Sequence, residues 1–174
     1  LHKSSLSPDL WGIMNIPLFR FFPLIYGALL AVFALIWGFN GLYGQDAHEY
    51  LRQSQVIFSR WQGQPPPAAS IGDAAFGGGY PLLAALLRWV VGNQVLALQM
   101  ANGLAAVACL ALFVAVLTLL SPGARNESRW AYALLGMAIS PAFVRAGLVS
   151  MSDAAGLAFA MAAFYGVLQS LDDA

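Results

Sequence analysis

Three carboxyl groups come first, because the chain around them carries so little charge: Asp46 and Glu49, one helical turn apart, and Asp153, far downstream. Carboxylates act as general acids and bases in hydroxyl chemistry and as ligands of hard divalent cations. Each of the three lies where a long apolar stretch begins or ends, so each is expected at a membrane boundary rather than inside the hydrocarbon. Their spacing has a second reading. Asp46 with Glu49, and Ser150 with Asp153, have the separation of a helix N-cap and its reciprocal partner. A capping carboxylate at a membrane surface still meets solvent and substrate, so both roles stay open.

Other reactive types are sparser. His48 adjoins Glu49, but no second histidine lies near it in sequence, and a solvated helix-face histidine is the plainer reading. Gly77-Gly78-Gly79 offers backbone N–H groups suited to a phosphate, yet lacks the lysine of a P-loop. Arg145 falls near the end of an apolar stretch, where a guanidinium either reaches out to headgroups or pairs with an anion.

The elements that must position these groups follow from composition. Of 174 residues 60% are hydrophobic and 9% charged, with a mean hydropathy of +0.70, whereas a soluble domain has about 25% charged residues. The expected fold class is all-α, an integral membrane helical bundle forming a single membrane domain over residues 1–174. Eight basic residues balance eight acidic ones, so no net field and no basic run favours nucleic acid. The lone Cys109 excludes a disulfide framework and a cysteine zinc site.

Four membrane spans are expected, at residues 21–43, 95–120, 130–144 and 153–171, after an N-terminal flank of residues 1–20 with no signal-peptide order. Pro141 should end the regular part of the third near Ser140. The density of Lys3, Arg20, Arg125 and Arg129 against Arg52, Arg60 and Arg88 places both termini in the cytoplasm and residues 44–94 outside, with the turn from Arg145 to Asp153. Gly27 with Ala31, Ala101 with Ala105, and Gly156 with Ala160 have the spacing of close helix packing. A start at Leu1 and an end at Asp172-Asp173-Ala174 are expected of a piece of a longer protein.

Residues 44–94 do not read as a tether. Ala47, Tyr50, Leu51, Ser54, Ile57, Phe58 and Trp61 recur with helical period, while His48, Glu49, Arg52 and Gln53 fall on the other face, which predicts an amphipathic helix in the membrane interface. Pro65-Pro66-Pro67 forms a rigid elbow, and a glycine-rich stretch holding Asp73 follows. Pro81 then opens a second interfacial helix whose stripe is Leu82, Leu83, Leu86, Leu87, Val90 and Val91.

In order along the chain, Gly44-Gln45-Asp46-Ala47-His48-Glu49-Tyr50, Gly78-Gly79-Tyr80-Pro81-Leu82-Leu83, and Ser140-Pro141 through Ser152-Asp153 resemble the N-terminal module of GT-C type membrane glycosyltransferases. The protein mannosyltransferase and aminoarabinose transferase branch is the nearest likeness, and it extends over essentially the whole chain. The resemblance implies transfer of a sugar from a polyprenyl-phosphate donor to an acceptor hydroxyl or lipid on the extracytoplasmic face of a multi-pass protein of the bacterial inner membrane. By position Asp46 matches the catalytic aspartate of the first loop and Asp153 the acid of the second extracytoplasmic turn. That family often has a second acid beside its first aspartate; here Gln45 and Ala47 flank it, with Glu49 three positions on. In this reading Asp46 is the base, and Asp153 positions the acceptor or shares a magnesium or manganese ion with Asp46, metal-free transfer being equally open. Arg145, then Arg52 or Arg88, would meet the phosphate, with Glu49 and Tyr80 in the substrate site. Membrane lipid and the polyprenyl-phosphate sugar are the expected partners.

A reading from another class stands beside it: a catalytically inert accessory subunit whose apolar faces bind other membrane subunits. A transporter has less to recommend it, because no span carries a charge at its middle.

Overall fold

The computed structural model describes residues 18–65, 67, 78–120 and 127–172, and among them all regular structure is helical. Seven helices follow one another: α1 (Leu18–Trp37), α2 (Gly44–Trp61), α3 (Gly79–Val91), α4 (Gln94–Leu120), α5 (Glu127–Ile139), α6 (Pro141–Leu148) and α7 (Asp153–Asp172). The N-terminal flank to residue 17, the glycine-rich stretch with Asp73, and the loop holding Arg125 lie outside the described residues.

The hub is α4. Its 27 residues make a rod about 40 Å long, with apolar residues around its whole circumference; Leu98, Ala101, Cys109 and Leu110 are buried, while Leu96, Leu104 and Leu120 are exposed. All the other helices touch it. Toward its start, Leu98, Ala101 and Ala105 pack with Tyr50 of α2, Tyr80 and Ala84 of α3, and Ala154 and Ala155 of α7. Further along, Ala106, Cys109 and Leu110 pack with Tyr26 and Leu30 of α1, Leu134 and Ala138 of α5, and Phe143 of α6. Small residues on α4 bring the neighbouring backbones close. A Cβ on Gly27 of α1 would lie 2.6 Å from the Val107 side chain, so this glycine gives the branched side chain of α4 its room.

Two helices, Gln94–Leu120 and Asp153–Leu171, are long and apolar enough to cross a membrane, and α5 with α6 makes a third if the bent pair is one crossing. The bend is 63°. Pro141 has no N–H to continue the ladder of α5 and instead opens α6. The first apolar stretch departs from expectation: helix stops at Trp37 rather than running to residue 43. Gly38 turns left-handed at φ +58°, and the Phe39 N–H donates to the Ala34 carbonyl at 2.9 Å, a Schellman closure. The apolar part, Phe21–Trp37, is about 25 Å long, a little short of a ~30 Å hydrocarbon layer.

The faces of the two helices between α1 and α4 also depart from the periodicity. In α2, Gln53 and Val56 are buried with Ala47, Tyr50, Ser54 and Phe58, while Trp61 is exposed. In α3 the buried residues are Tyr80, Pro81, Ala84 and Ala85, and the expected stripe is split: Leu83 and Leu87 are half-buried against the core, while Leu82, Leu86 and Val90 are turned out, Leu86 51% and Val90 85% exposed. Small side chains let α3 lie close on α4; the three outward ones are left for the surroundings. Of the three small-residue pairs, Ala101 and Ala105 face partners, whereas Gly156 and Ala160 of α7 do not.

Candidate functional site: the end of the bundle that carries two acids

Asp46 sits in the first turn of α2 and is exposed. It is not a cap. The N-cap position belongs to Tyr43, in an extended conformation with no side-chain hydrogen bond to the helix. Glu49 does not reach back either. It takes a charge-assisted hydrogen bond from Arg52 Nε at 2.9 Å, an ion pair with Nη2 of the same guanidinium, and a hydrogen bond from Gln53 Nε2 at 3.1 Å. The second pair resolves in the same way. Ser150 is buried three residues before the start of α7, which begins on the Ser152 carbonyl through a 2.7 Å bond from Gly156 N–H. Asp153, the first residue of α7, is exposed. Both aspartates carry the favourable charge for a helix start, and both remain open to solvent.

Three contacts join the segment holding Asp46 to the turn holding Asp153. Ser150 N–H donates to the Gly41 carbonyl at 2.8 Å. Gly41 itself has φ +77°, and a Cβ there would lie 2.6 Å from Ser150 Oγ and 3.1 Å from the Leu148 carbonyl. One turn beyond Asp46, the Tyr50 hydroxyl donates to Ser152 Oγ at 2.8 Å, and Ser152 adjoins Asp153. The Tyr50 ring meets Tyr80 edge-on at 5.2 Å. The two acids therefore project from the same end of the bundle, each one short step from a shared hydrogen bond.

Asn102 of α4 holds the turn from below. Wholly buried, it donates from Nδ2 to the carbonyls of Ala146, at 2.5 Å, and Val149, at 2.7 Å, so the last turn of α6 is fixed to the hub. Beside α6 lies a groove of about 370 Å³, lined by Met137, Ser140, Phe143 and Leu157 among others, with Asp153 as its acid. Ala142 and Ala146 line the groove, while Phe143 and Gly147 are buried in the bundle. Arg145 projects from the remaining, exposed side of the same helix.

The candidate cations separate. Arg52 is committed to Glu49. Arg88 lies 4.2 Å above the Phe58 ring and donates to Gln94 Oε1 at 2.9 Å, and Gln94 in turn donates to Ser54 Oγ at 2.8 Å; this chain ties α3 and α4 to α2. Arg145 has no side-chain hydrogen bond or ion pair among the described residues. Tyr80 belongs to the core. It is 3% exposed, and its hydroxyl donates to the Leu98 carbonyl at 3.0 Å. Burial pushes its phenol well above the ordinary range, with the Ser150 hydroxyl acting against the shift and Tyr50 adding to it.

Asp46 and Asp153 are hard oxygen donors suited to magnesium or manganese, but among the described residues no three His, Cys, Asp or Glu side chains gather as a metal-ligating group. These two side chains alone do not form a cation cage. Sequence reasoning passed over Gly41, Tyr50 as a hydrogen-bond donor, Ser152 and Asn102. Of these Asn102 had a signal, as one of the few polar residues, with Gln94, Gln99 and Thr118, of a mostly apolar helix.

No protein-family model matches the chain, and neither a curated protein nor a solved structure does.

Proposed function

We propose that the chain is the membrane module of a glycosyltransferase-like protein of the GT-C type, working on a sugar carried by a polyprenyl phosphate at the extracytoplasmic side of a bacterial inner membrane. In this reading α1, α4, the α5–α6 pair and α7 are the four crossings, and α2 and α3 lie in the interface. The observation that supports it most is the 2.8 Å hydrogen bond from Tyr50 to Ser152, because it brings two exposed aspartates from remote parts of the chain to one end of the bundle. Asp46 takes the proton of the acceptor hydroxyl. The hydroxyl oxygen forms a bond to the anomeric carbon, the bond from that carbon to the phosphate oxygen breaks, and the electron pair leaves with the polyprenyl phosphate. Arg145, with no partner to give up among the described residues, meets the phosphate charge. Asp153 orients the acceptor at the mouth of the groove it lines.

Asp46→Asn and Asp153→Asn in the full-length protein test this. Asp46→Asn should abolish transfer from a polyprenyl-phosphate sugar while membrane insertion and unfolding midpoint stay unchanged, and wild-type transfer in that variant refutes the base assignment. The inert accessory subunit draws support from the outward Leu82, Leu86 and Val90 of α3, an apolar face that a neighbouring subunit could cover. Stoichiometric co-purification with a membrane complex, together with absence of transfer by the wild type, would favour it.

A further inference from the structure

A second groove, of about 590 Å³, runs between α1 and α4, within the range of small-ligand sites. Its walls are apolar and made low by Ala31 and Ala34 on one helix and Gly103 on the other. None of its lining residues is ionisable. Amides gather at one end: Asn40, Asn93 and Gln99.

Their hydrogen bonds fix what that end offers. Asn40 Oδ1 accepts from Leu42 N–H at 3.0 Å, and Asn93 Oδ1 accepts from Leu96 N–H at 3.0 Å. Both acceptors are used, so each Nδ2 is left as a donor. Gln99 is the reverse: its Nε2 donates to the Phe39 carbonyl at 2.8 Å, and its Oε1 is left to accept. The groove thus presents two donors and one acceptor, all uncharged, at the head of an apolar channel.

We propose that this groove binds one hydrocarbon chain of a neutral ester-linked lipid of the diacylglycerol class. The ester carbonyls accept from Asn40 and Asn93, and the free hydroxyl donates to Gln99. A phosphate head is disfavoured, because among the described residues no cation lines the groove to offset its desolvation. This separates it from any polyprenyl-phosphate site, and the inference does not depend on the transfer reaction.

The test uses the full chain in detergent micelles and a diacylglycerol with a photoreactive group in one acyl chain. Labelling should concentrate on α1 and α4 around Ala34 and Met100. Unlabelled diacylglycerol should compete, and the matching dialkyl ether, which lacks both carbonyls, should compete about tenfold less well. Gly103→Leu fills the channel and should reduce labelling at least tenfold; a Cβ at Gly103 meets nothing within 4 Å, so the unfolding midpoint should hold. If that variant nevertheless unfolds, Asn93→Asp decides, because it keeps the acceptor that caps α4 and removes the donor; about a threefold loss is expected. Labelling spread evenly over the outer faces of α1 and α7, or equal competition by the ether, overturns the proposal.

Discussion

Replacing Gly41 by alanine tests the joint that places the two acids. Gly41 stands at φ +77°, where an L-residue costs about 1–2 kcal/mol. The new Cβ would also lie 2.6 Å from Ser150 Oγ. Ser150 cannot simply retreat, because it is wholly buried and its N–H is held by the Gly41 carbonyl at 2.8 Å. Moving it apart gives up that bond, worth about 1 kcal/mol. The expected loss is therefore about 2–4 kcal/mol, at the upper end of ordinary single substitutions. Denaturant unfolding of the purified chain, followed by tryptophan fluorescence, measures it. Ser150→Ala in the same chain should recover only the steric part, leaving about 1–2 kcal/mol from the backbone. A loss below about 0.5 kcal/mol for Gly41→Ala would refute the argument that this contact sets the position of the turn. Full recovery in the double variant would refute the backbone part.

Tyr50→Phe keeps the edge contact with Tyr80 and removes the hydrogen bond to Ser152, so stability should fall by about 0.5–1.5 kcal/mol; a spin-label distance between positions 46 and 153 should broaden, and an unchanged distribution would count against Tyr50 as the link. Asn102→Leu leaves the Ala146 carbonyl unmatched and the Val149 carbonyl with the Met151 N–H alone and should cost about 2 kcal/mol, with faster amide exchange over residues 147–150, whereas exchange unchanged there would show that α6 is held by packing alone. The buried Tyr80 phenol titrates above its ordinary value of 10.0, so an unfolded chain loses that proton first as pH rises. Stability should be flat below about pH 10 on this account and decline above it, and Tyr80→Phe should make the alkaline decline shallower; equal slopes would dismiss Tyr80 as its source.

Composition and run length were enough to establish helices and to locate most of their ends. A 9% charged chain with long apolar runs has few ways to satisfy its backbone except within helices; Pro141 opens α6, and Pro81, expected to open α3, falls instead in its first turn, two residues after the start at Gly79, both places that tolerate a fixed φ and a missing donor. Periodicity identified α2 and α3 as helices and found most of the α2 face in Ala47, Tyr50, Ser54 and Phe58, but missed Gln53 and Val56 there and misjudged part of the α3 stripe. It ranks residues by hydrophobicity, whereas packing against α4 ranks them by size, so Ala84 and Ala85 went inward and Leu86 and Val90 outward. The acids were legible as residue types. What they do locally was not, because capping depends on where the backbone turns, and it turns at Tyr43 and Ser152. The link between the two aspartates is purely tertiary: Tyr50 and Ser152 lie 102 positions apart, and nothing in either segment specifies the other. Local chain chemistry determines which helices form and where they end. Only the close approach of helices around the small residues of α4 decides which polar groups meet, because hydrogen bonds select partners by distance and direction, and both come from packing.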